Sequence, residues 1–256
     1  MKDLPMLLKT KRIGRGGFCY EQEMDSTNAR AKKLAENGTG DGTVVLCEKQ
    51  TAGRGRLSRS WLAKPGEDLT FSVVLRISDT AMAPYYSFCA ALALQWSLEK
   101  MKLPVRLKWP NDVLLDGKKT AGILCELVGG RVIIGIGLNV NRTEFPEEFA
   151  EKATSMRLCA GQEYSRENVL ADVLYQLEKA ADVLETEGTD ELLRLYRPHC
   201  VTIGAEIKVS GPDGEYAGTA LELLRDGALR VKKENGEICT VYAGDVSVRG
   251  LAGYGR

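Results

Sequence analysis

The sequence predicts an α+β protein in two parts, a larger body over residues 1–199 and a small β-barrel over 200–256. Three observations predict it. Apolar residues at helical spacing alternate with β-branched runs through the first two hundred residues. One long helix stands out, because Val169, Leu170, Val173, Leu174, Leu177, Ala181 and Leu184 fall on a single stripe. After His199 the texture changes to short strand-like pieces at 206–210, 216–224, 228–233 and 237–242, separated by Pro212-Asp213-Gly214, Asp226-Gly227 and Asn235-Gly236. Strands so short and evenly spaced predict a barrel of about 50 residues, with the division near Cys200.

Taken in order, the first helix covers 27–36, with Ser26 or Asp25 as its N-cap and Gly38 at the left-handed position past its end. Residues 43–48 are β-branched and apolar, a buried strand. The stretch 49–65 is polar and rich in glycine and arginine, a loop of a length that usually serves a function. A second strand follows at 69–77, then a helix at 85–100 with Phe88, Leu92 and Trp96 on one face. Strands at 105–109, 119–128 and 131–140 come next, the last two a hairpin across Gly129-Gly130. Ser165 opens the long helix to about 187, and a short helix at 190–196 ends at Pro198. The tail 252–256 is read as frayed.

Composition narrows the chemistry. Apolar residues make up 44% and charged residues 27% of 256, an ordinary globular balance. Lys+Arg and Asp+Glu both number 35, so no global field draws nucleic acid or a membrane. Residues 1–15 are basic without the apolar core of a signal peptide, and no apolar run is long enough to span a bilayer. The seven cysteines are scattered and never spaced C-x-x-C, and read as free thiols of a reducing cytoplasm. His199 is the single histidine, which rules out histidine-rich metal sites and leaves a Ser-His-Asp triad without its G-x-S-x-G setting. Any reaction must therefore run on lysine, arginine, carboxylates, amides and backbone groups.

Several stretches carry such groups. Gly53-Arg54-Gly55-Arg56 follows a strand; glycines admit close approach of a ligand, and guanidinium forks bind carboxylate or phosphate oxygens. A lone basic loop would fit equally, but Arg59 and the flat indole of Trp61 favour an anionic heterocyclic ligand. Neither a Walker A loop nor a dinucleotide-binding fingerprint is present. Lys108-Trp109-Pro110-Asn111-Asp112 breaks at a strand end, either as a capped turn or as a place where Asp112 orients a lysine or a Mg²⁺ and Lys108 meets phosphate. Lys119 enters a strand of small residues, Thr120-Ala121-Gly122, suited to a carboxylate under activation or to an ordinary surface lysine. Gly135-Ile136-Gly137-Leu138-Asn139 lets a ligand lie against a strand, with the Asn139 amide at its end. Ser26-Thr27-Asn28 opens the first helix, as caps or as polar contacts.

In this order, over roughly residues 20–250 and with Gly244-Asp245-Val246-Ser247-Val248-Arg249-Gly250 as an ending, these stretches resemble the biotin–protein ligase family. The resemblance implies a class II synthetase-like mixed sheet with flanking helices, followed by an SH3-like barrel. It implies that biotin is activated by Mg-ATP to biotinyl-5′-AMP and passed to a lysine of a biotin carboxyl carrier protein. By position, Ser26, Thr27, Asn28 and Gln50 would contact biotin, and Arg54, Gly55 and Arg56 would close over the carboxylate and phosphate. Lys119 would bind the reacting oxygens. Arg56, Arg59, Trp61, Lys108, Asn111, Lys119 and Asn139 would hold ATP, with Asp112 beside Mg²⁺. Arg54, Arg56 and Lys119 are the expected catalytic set. The chain departs from the family pattern at Leu57-Ser58, where a larger residue and a glycine are expected, which puts the closing of that loop in question. About 20 residues precede the first motif, too few for the helix-turn-helix of repressor members, so the expectation is a cytoplasmic ligase without DNA binding, monomeric or weakly dimeric. A lipoate–protein ligase and a non-catalytic biotin sensor are the rival readings.

Overall fold

Side-chain alternation along the strands decides this architecture. The computed structural model describes residues 4–57, 59–211, 214–243 and 247–250. Ser58, Pro212-Asp213 of one expected turn, Gly244-Asp245-Val246 of the expected ending and the tail 252–256 lie outside the described residues. A seven-stranded mixed sheet comprises β1 (Phe18–Met24), β2 (Thr43–Gln50), β3 (Leu69–Arg76), β4 (Val105–Lys108), β5 (Asp112–Leu115), β6 (Lys118–Val128) and β7 (Arg131–Leu138), in the order β1-β2-β3-β7-β6-β5-β4. β1 and β2 run parallel, joined by the crossover helix α2 (Thr27–Glu36) that such a pair needs. The remaining neighbours are antiparallel.

On β3, Leu69, Phe71, Val73 and Leu75 enter the main core with α3 (Tyr86–Lys100) and α6 (Arg166–Thr186). Alternate positions turn the other way: Val45, Cys47, Val74 and Ile133 meet Ala31 and Ala35 of α2 in a second cluster. By the same period of two, Thr70, Ser72, Gly122, Gly135 and Gly137 share that second face. The sheet is thus sealed on one side and, over β3, β7 and β6, nearly bare on the other.

The expected strands and long helices are present with ends shifted by a residue or two. Gly129 and Gly130, at φ of 53° and 71°, make the predicted hairpin turn, and Gly38 is left-handed at 78°. Two expectations are corrected. Ser26 occupies the N-cap position of α2 without a capping hydrogen bond; its own N–H donates to Asp25 Oδ1 at 2.7 Å. β1 and β5 were not foreseen, because β1 is a charged edge strand and β5 has four residues after a turn. As expected, α7 (Thr189–Tyr196) ends just before Pro198, and the chain continues as a 3₁₀ turn over Arg197–His199, where a proline in a first turn forfeits no intrahelical donor. Single-turn helices α1 (Leu4–Leu7), α4 (Glu147–Ala150) and α5 (Met156–Ala160) are too short to show a period. All seven cysteines are free, and Cys47, Cys89 and Cys200 are buried.

β8 (Glu206–Gly211), β9 (Gly214–Leu223), β10 (Leu229–Lys233), β11 (Ile238–Val241) and β12 (Ser247–Gly250) form a five-stranded antiparallel sheet ordered β11-β10-β9-β8-β12. Its apolar side chains, among them Ile207, Val209, Leu229 and Val231, run continuously into the main core. Hydrogen bonds reinforce that continuity. The indole N–H of the fully buried Trp109 donates to Gly227 O at 3.0 Å, and its backbone N–H donates to Thr202 Oγ1 at 3.0 Å. Tyr85 donates from its hydroxyl to Arg225 O at 2.8 Å.

The N-terminal segment is strapped to α6 by one carboxylate. Glu178 is 8% exposed, and its two oxygens accept from the backbone N–H groups of Lys11, Arg12 and Ile13 at 2.6, 2.8 and 2.8 Å. Leu4, Leu8 and Ile13 are buried around it. Removing the acceptor leaves three donors without partners, so Glu178→Ala should lower unfolding free energy by about 2–3 kcal/mol. Urea denaturation checks this; a loss under about 0.5 kcal/mol would mean that water replaces the carboxylate at no cost.

Candidate active site

The bare face of the sheet is the floor of a cavity of about 930 Å³. Its depth comes from glycine. Thr70, Gly137 and Gly122 lie side by side across β3, β7 and β6, and Ser72, Gly135 and Leu124 form the next row. The Trp61 ring lies over Gly137 and Gly122, where an added Cβ would come within 2.1 Å of Trp61 Cε2 and 3.0 Å of Cζ3. A Cβ on Gly135 would sit 2.1 Å from Asn28 Oδ1. Side chains at these positions would drive Trp61 and Asn28 off the floor.

The loop that carries Trp61 is folded on itself. Trp61 N–H donates to Gly53 O at 3.0 Å, Gly55 N–H to Arg59 O at 2.6 Å, and Arg54 and Ser60 form an isolated bridge. This tight return aims Arg54, Arg56 and Arg59 into the cavity wall. Arg56 donates to Asn111 Oδ1 at 3.1 Å, which ties the loop to the turn after β4. Burial pulls the Arg56 pKa down, Asp112 pulls it up and Arg59 adds to the lowering; a guanidinium so placed remains charged.

Across from the loop, Asp112 opens β5 and meets two ammonium groups. Lys119 Nζ lies 2.5 Å from Oδ1, and Lys108 Nζ lies 3.5 Å from Oδ2. Burial alone would raise the Asp112 carboxyl, but Lys119 and Lys108 outweigh it and hold it below the ordinary carboxylate range. The Lys119 ammonium also stands 5.5 Å from the Trp61 ring centre. Its backbone is fixed from both sides, Lys119 N–H donating to Lys152 O at 2.8 Å and Thr154 N–H to Lys119 O at 2.9 Å.

At the far end, the first residues of α2 face the floor. Gln50 Oε1 accepts from Thr27 N–H at 2.8 Å and lies 3.2 Å from Thr27 Oγ1. Ser72 Oγ lies 2.8 Å from Thr27 Oγ1 and 2.6 Å from Asn28 Oδ1. Asn139, at the end of the glycine strand, donates from its amide to Thr154 O at 2.9 Å. All fourteen residues singled out from the sequence, from Ser26 to Asn139, line this one cavity. Missed were Ser72, Thr70, Arg142 and Phe145. Thr70 and Ser72 carried a signal, since they are the alternate polar residues of an otherwise apolar strand. Arg142 pairs with Asp68 at 3.0 Å, donates to Leu62 O at 3.1 Å and stacks 5.1 Å from the Phe145 ring centre. It braces the loop from behind, through contacts that no local pattern announces.

Among the described residues no three His, Cys, Asp or Glu side chains converge on a metal site. Asp112, expected beside Mg²⁺, turns both oxygens to lysines. A lone carboxylate so neutralised does not make a resident magnesium site; Mg²⁺ is instead commonly held through substrate phosphates.

The Asp112 pairing has a pH signature. A carboxyl whose folded pKa is depressed stabilises the fold above its unfolded value, about 3.9, and loses that contribution as pH falls through the lower folded value. The stability advantage of the native chain over Asp112→Asn should therefore be largest near neutrality and vanish in acid. Denaturant titrations from pH 2 to 7 test it, and equal stability at pH 7 would sink the pairing as a net stabiliser.

This geometry can be set beside known proteins. The model of the biotin/lipoate A/B protein ligase family matches residues 20–141, and that of the biotin protein ligase C terminal domain matches 202–249. The bifunctional ligase/repressor BirA of Bacillus subtilis (strain 168) is 34% identical over 250 residues, 94% of this chain and 76% of that protein. The biotin–[acetyl-CoA-carboxylase] ligase of Mycobacterium tuberculosis is 35% identical over 251 residues, 93% of both. The structure of biotin protein ligase from Aquifex aeolicus in complex with biotin and ATP aligns with a TM-score of 0.80 and 32% identity, over 91% of this chain and 99% of that one. With its floor glycines, arginine loop and C-terminal strands all inside these matches, the chain belongs to the biotin/lipoate A/B protein ligase family.

Proposed function

We propose that this chain is a biotin–protein ligase, which activates biotin with Mg-ATP and transfers it to a lysine of a biotin carboxyl carrier protein. The observation that carries the reading is the convergence of Arg54, Arg56, Arg59, Lys108 and Lys119 on one glycine-floored cavity, where Asp112 pairs with Lys119 and Lys108. Such a site stabilises charge on a transferring phosphoryl group, and it needs no histidine. The relatives and the biotin and ATP complex support the choice of ligand.

The roles are assigned from the family resemblance together with each residue's place in the cavity. Ser26, Thr27, Asn28 and Gln50 receive the ring end of biotin, and its chain runs along Gly135 towards Lys119. Trp61 and Asn139 hold the adenine end, and Lys108, Asn111, Arg56 and Arg59 face the phosphates. A carboxylate oxygen of biotin attacks the α-phosphorus, the bond to the bridging oxygen breaks, and pyrophosphate leaves with the electron pair. A carrier lysine amine then attacks the acyl carbon, AMP departs, and the amine gives up a proton as the amide forms. Lys119 and Arg56 act by lowering the energy of the crowded negative charge in the first step. Magnesium enters with the triphosphate as part of the substrate. Residues 1–199 make up the synthetic part and 200–256 an SH3-like barrel, a monomer or weak dimer in the cytoplasm.

Lys119→Ala should slow biotin-dependent exchange between ATP and pyrophosphate about a hundredfold in a protein that still folds, its thermal midpoint lowered only by the loss of the Asp112 pair. Arg56→Gly should form biotinyl-AMP but release it faster. Mass spectrometry of a carrier domain incubated with the protein, biotin and ATP tests the whole reading. Calorimetric binding of lipoate without biotin would install the lipoate ligase reading in its place, and tight biotin binding without pyrophosphate exchange would leave a sensor.

A further inference from the structure

The hydrogen-bonding polarity at the ring end of the cavity is set in part by a charged group outside its lining. Asn28 is 5% exposed and its amide can rotate by half a turn at little steric cost. Behind it stand two groups that can only accept. Asn28 Nδ2 lies 2.7 Å from Glu126 Oε2 and 3.2 Å from Leu124 O. Both amide hydrogens are thereby consumed, and the oxygen is forced towards Ser72 and the floor at Gly135. Glu126 lies on β6 outside the cavity lining and is held in turn by Lys32 of α2. With the carboxylate in place, flipping the amide would set its oxygen against a negative charge.

The neighbouring groups are saturated in a matching sense. Gln50 Oε1 is taken by Thr27 N–H and lies within reach of its hydroxyl, which leaves the Gln50 amide N–H groups for a ligand. The pocket therefore offers an acceptor at Asn28 and donors at Gln50, the complement of a group with N–H and C=O side by side, as in a cyclic urea. This assignment rests on the biotin reading above. We propose that Glu126 is a positioning residue for ligand specificity: it fixes the Asn28 amide so that its oxygen faces the ligand, and Lys32 keeps the Glu126 carboxylate in place.

The test separates orientation from folding. In Glu126→Ala the amide loses its charged anchor and populates both orientations. Calorimetry should then show biotin binding weakened about tenfold, the loss expected for a hydrogen bond to a charged group. The KM for ATP and the kcat of pyrophosphate exchange should stay within about twofold, because nothing at the phosphate end moves. Glu126→Gln, whose carbonyl can still accept from Asn28, should restore most of the affinity. A Glu126→Ala protein that binds biotin like the native one overturns the proposal, as does an equal rise in both KM values or a Glu126→Gln as weak as the alanine. A native protein that binds no biotin overturns the function reading and this proposal together, whereas native binding with an unaffected alanine variant overturns the role of Glu126 alone.

Discussion

Three strands that face the core with one set of residues and an open cavity with the other impose the constraint on which the rest of this structure depends. A strand presents alternate side chains to opposite faces, so β3, β7 and β6 cannot be redesigned on one face without keeping register on the other. Leu69, Phe71, Val73, Ile134, Ile136 and Ile123 fill the core side. Between them fall Thr70, Ser72, Gly135, Gly137 and Gly122, small enough that Trp61 and Asn28 can lie on the backbone itself. Burial of the first set supplies the stability that permits the second to be so poor in contacts. A glycine in a strand interior costs stability, and this sheet carries three in adjacent rows.

Charge is arranged around that floor with the same economy. Asp112 stands between two of the cations that line the cavity and offsets the repulsion between Lys119 and Lys108. The cations are then worth more than they would be at the surface, because the site is partly shielded from water. The lysine backbone is pinned by 152–154, the loop arginine by Asn111, and the loop base by Arg142. Few of the charged groups depend on a long free side chain to find their place.

What could be read in the sequence was whatever repeats or punctuates. The stripe from Val169 to Leu184 declared α6, and Gly129-Gly130 declared a hairpin. Gly53–Trp61 and Gly135–Asn139 drew notice only together with the other motifs, since glycine beside arginine or amide fits a plain loop or strand as well. β1 escaped because an edge strand wetted on both sides shows no clean alternation. Glu126 and Arg142 escaped for a different reason. Their contacts are with partners 98 and 80 residues away, Asn28 and Leu62, and long-range pairing leaves no trace in a local window.

The bond from the Trp109 indole to Gly227 has a bearing on how this molecule can be cut. A change of pattern near residue 200 looks like a seam, yet the largest fully buried side chain lies across it, and Phe88 fills the space over the Gly227 backbone. Severed at that seam, the larger piece would expose an indole and strand its donor, while the smaller would lose the floor its strands are built on. The two pieces are therefore partners in one cooperative melting unit, and truncation mapping would report on folding long before it reported on the job of either piece.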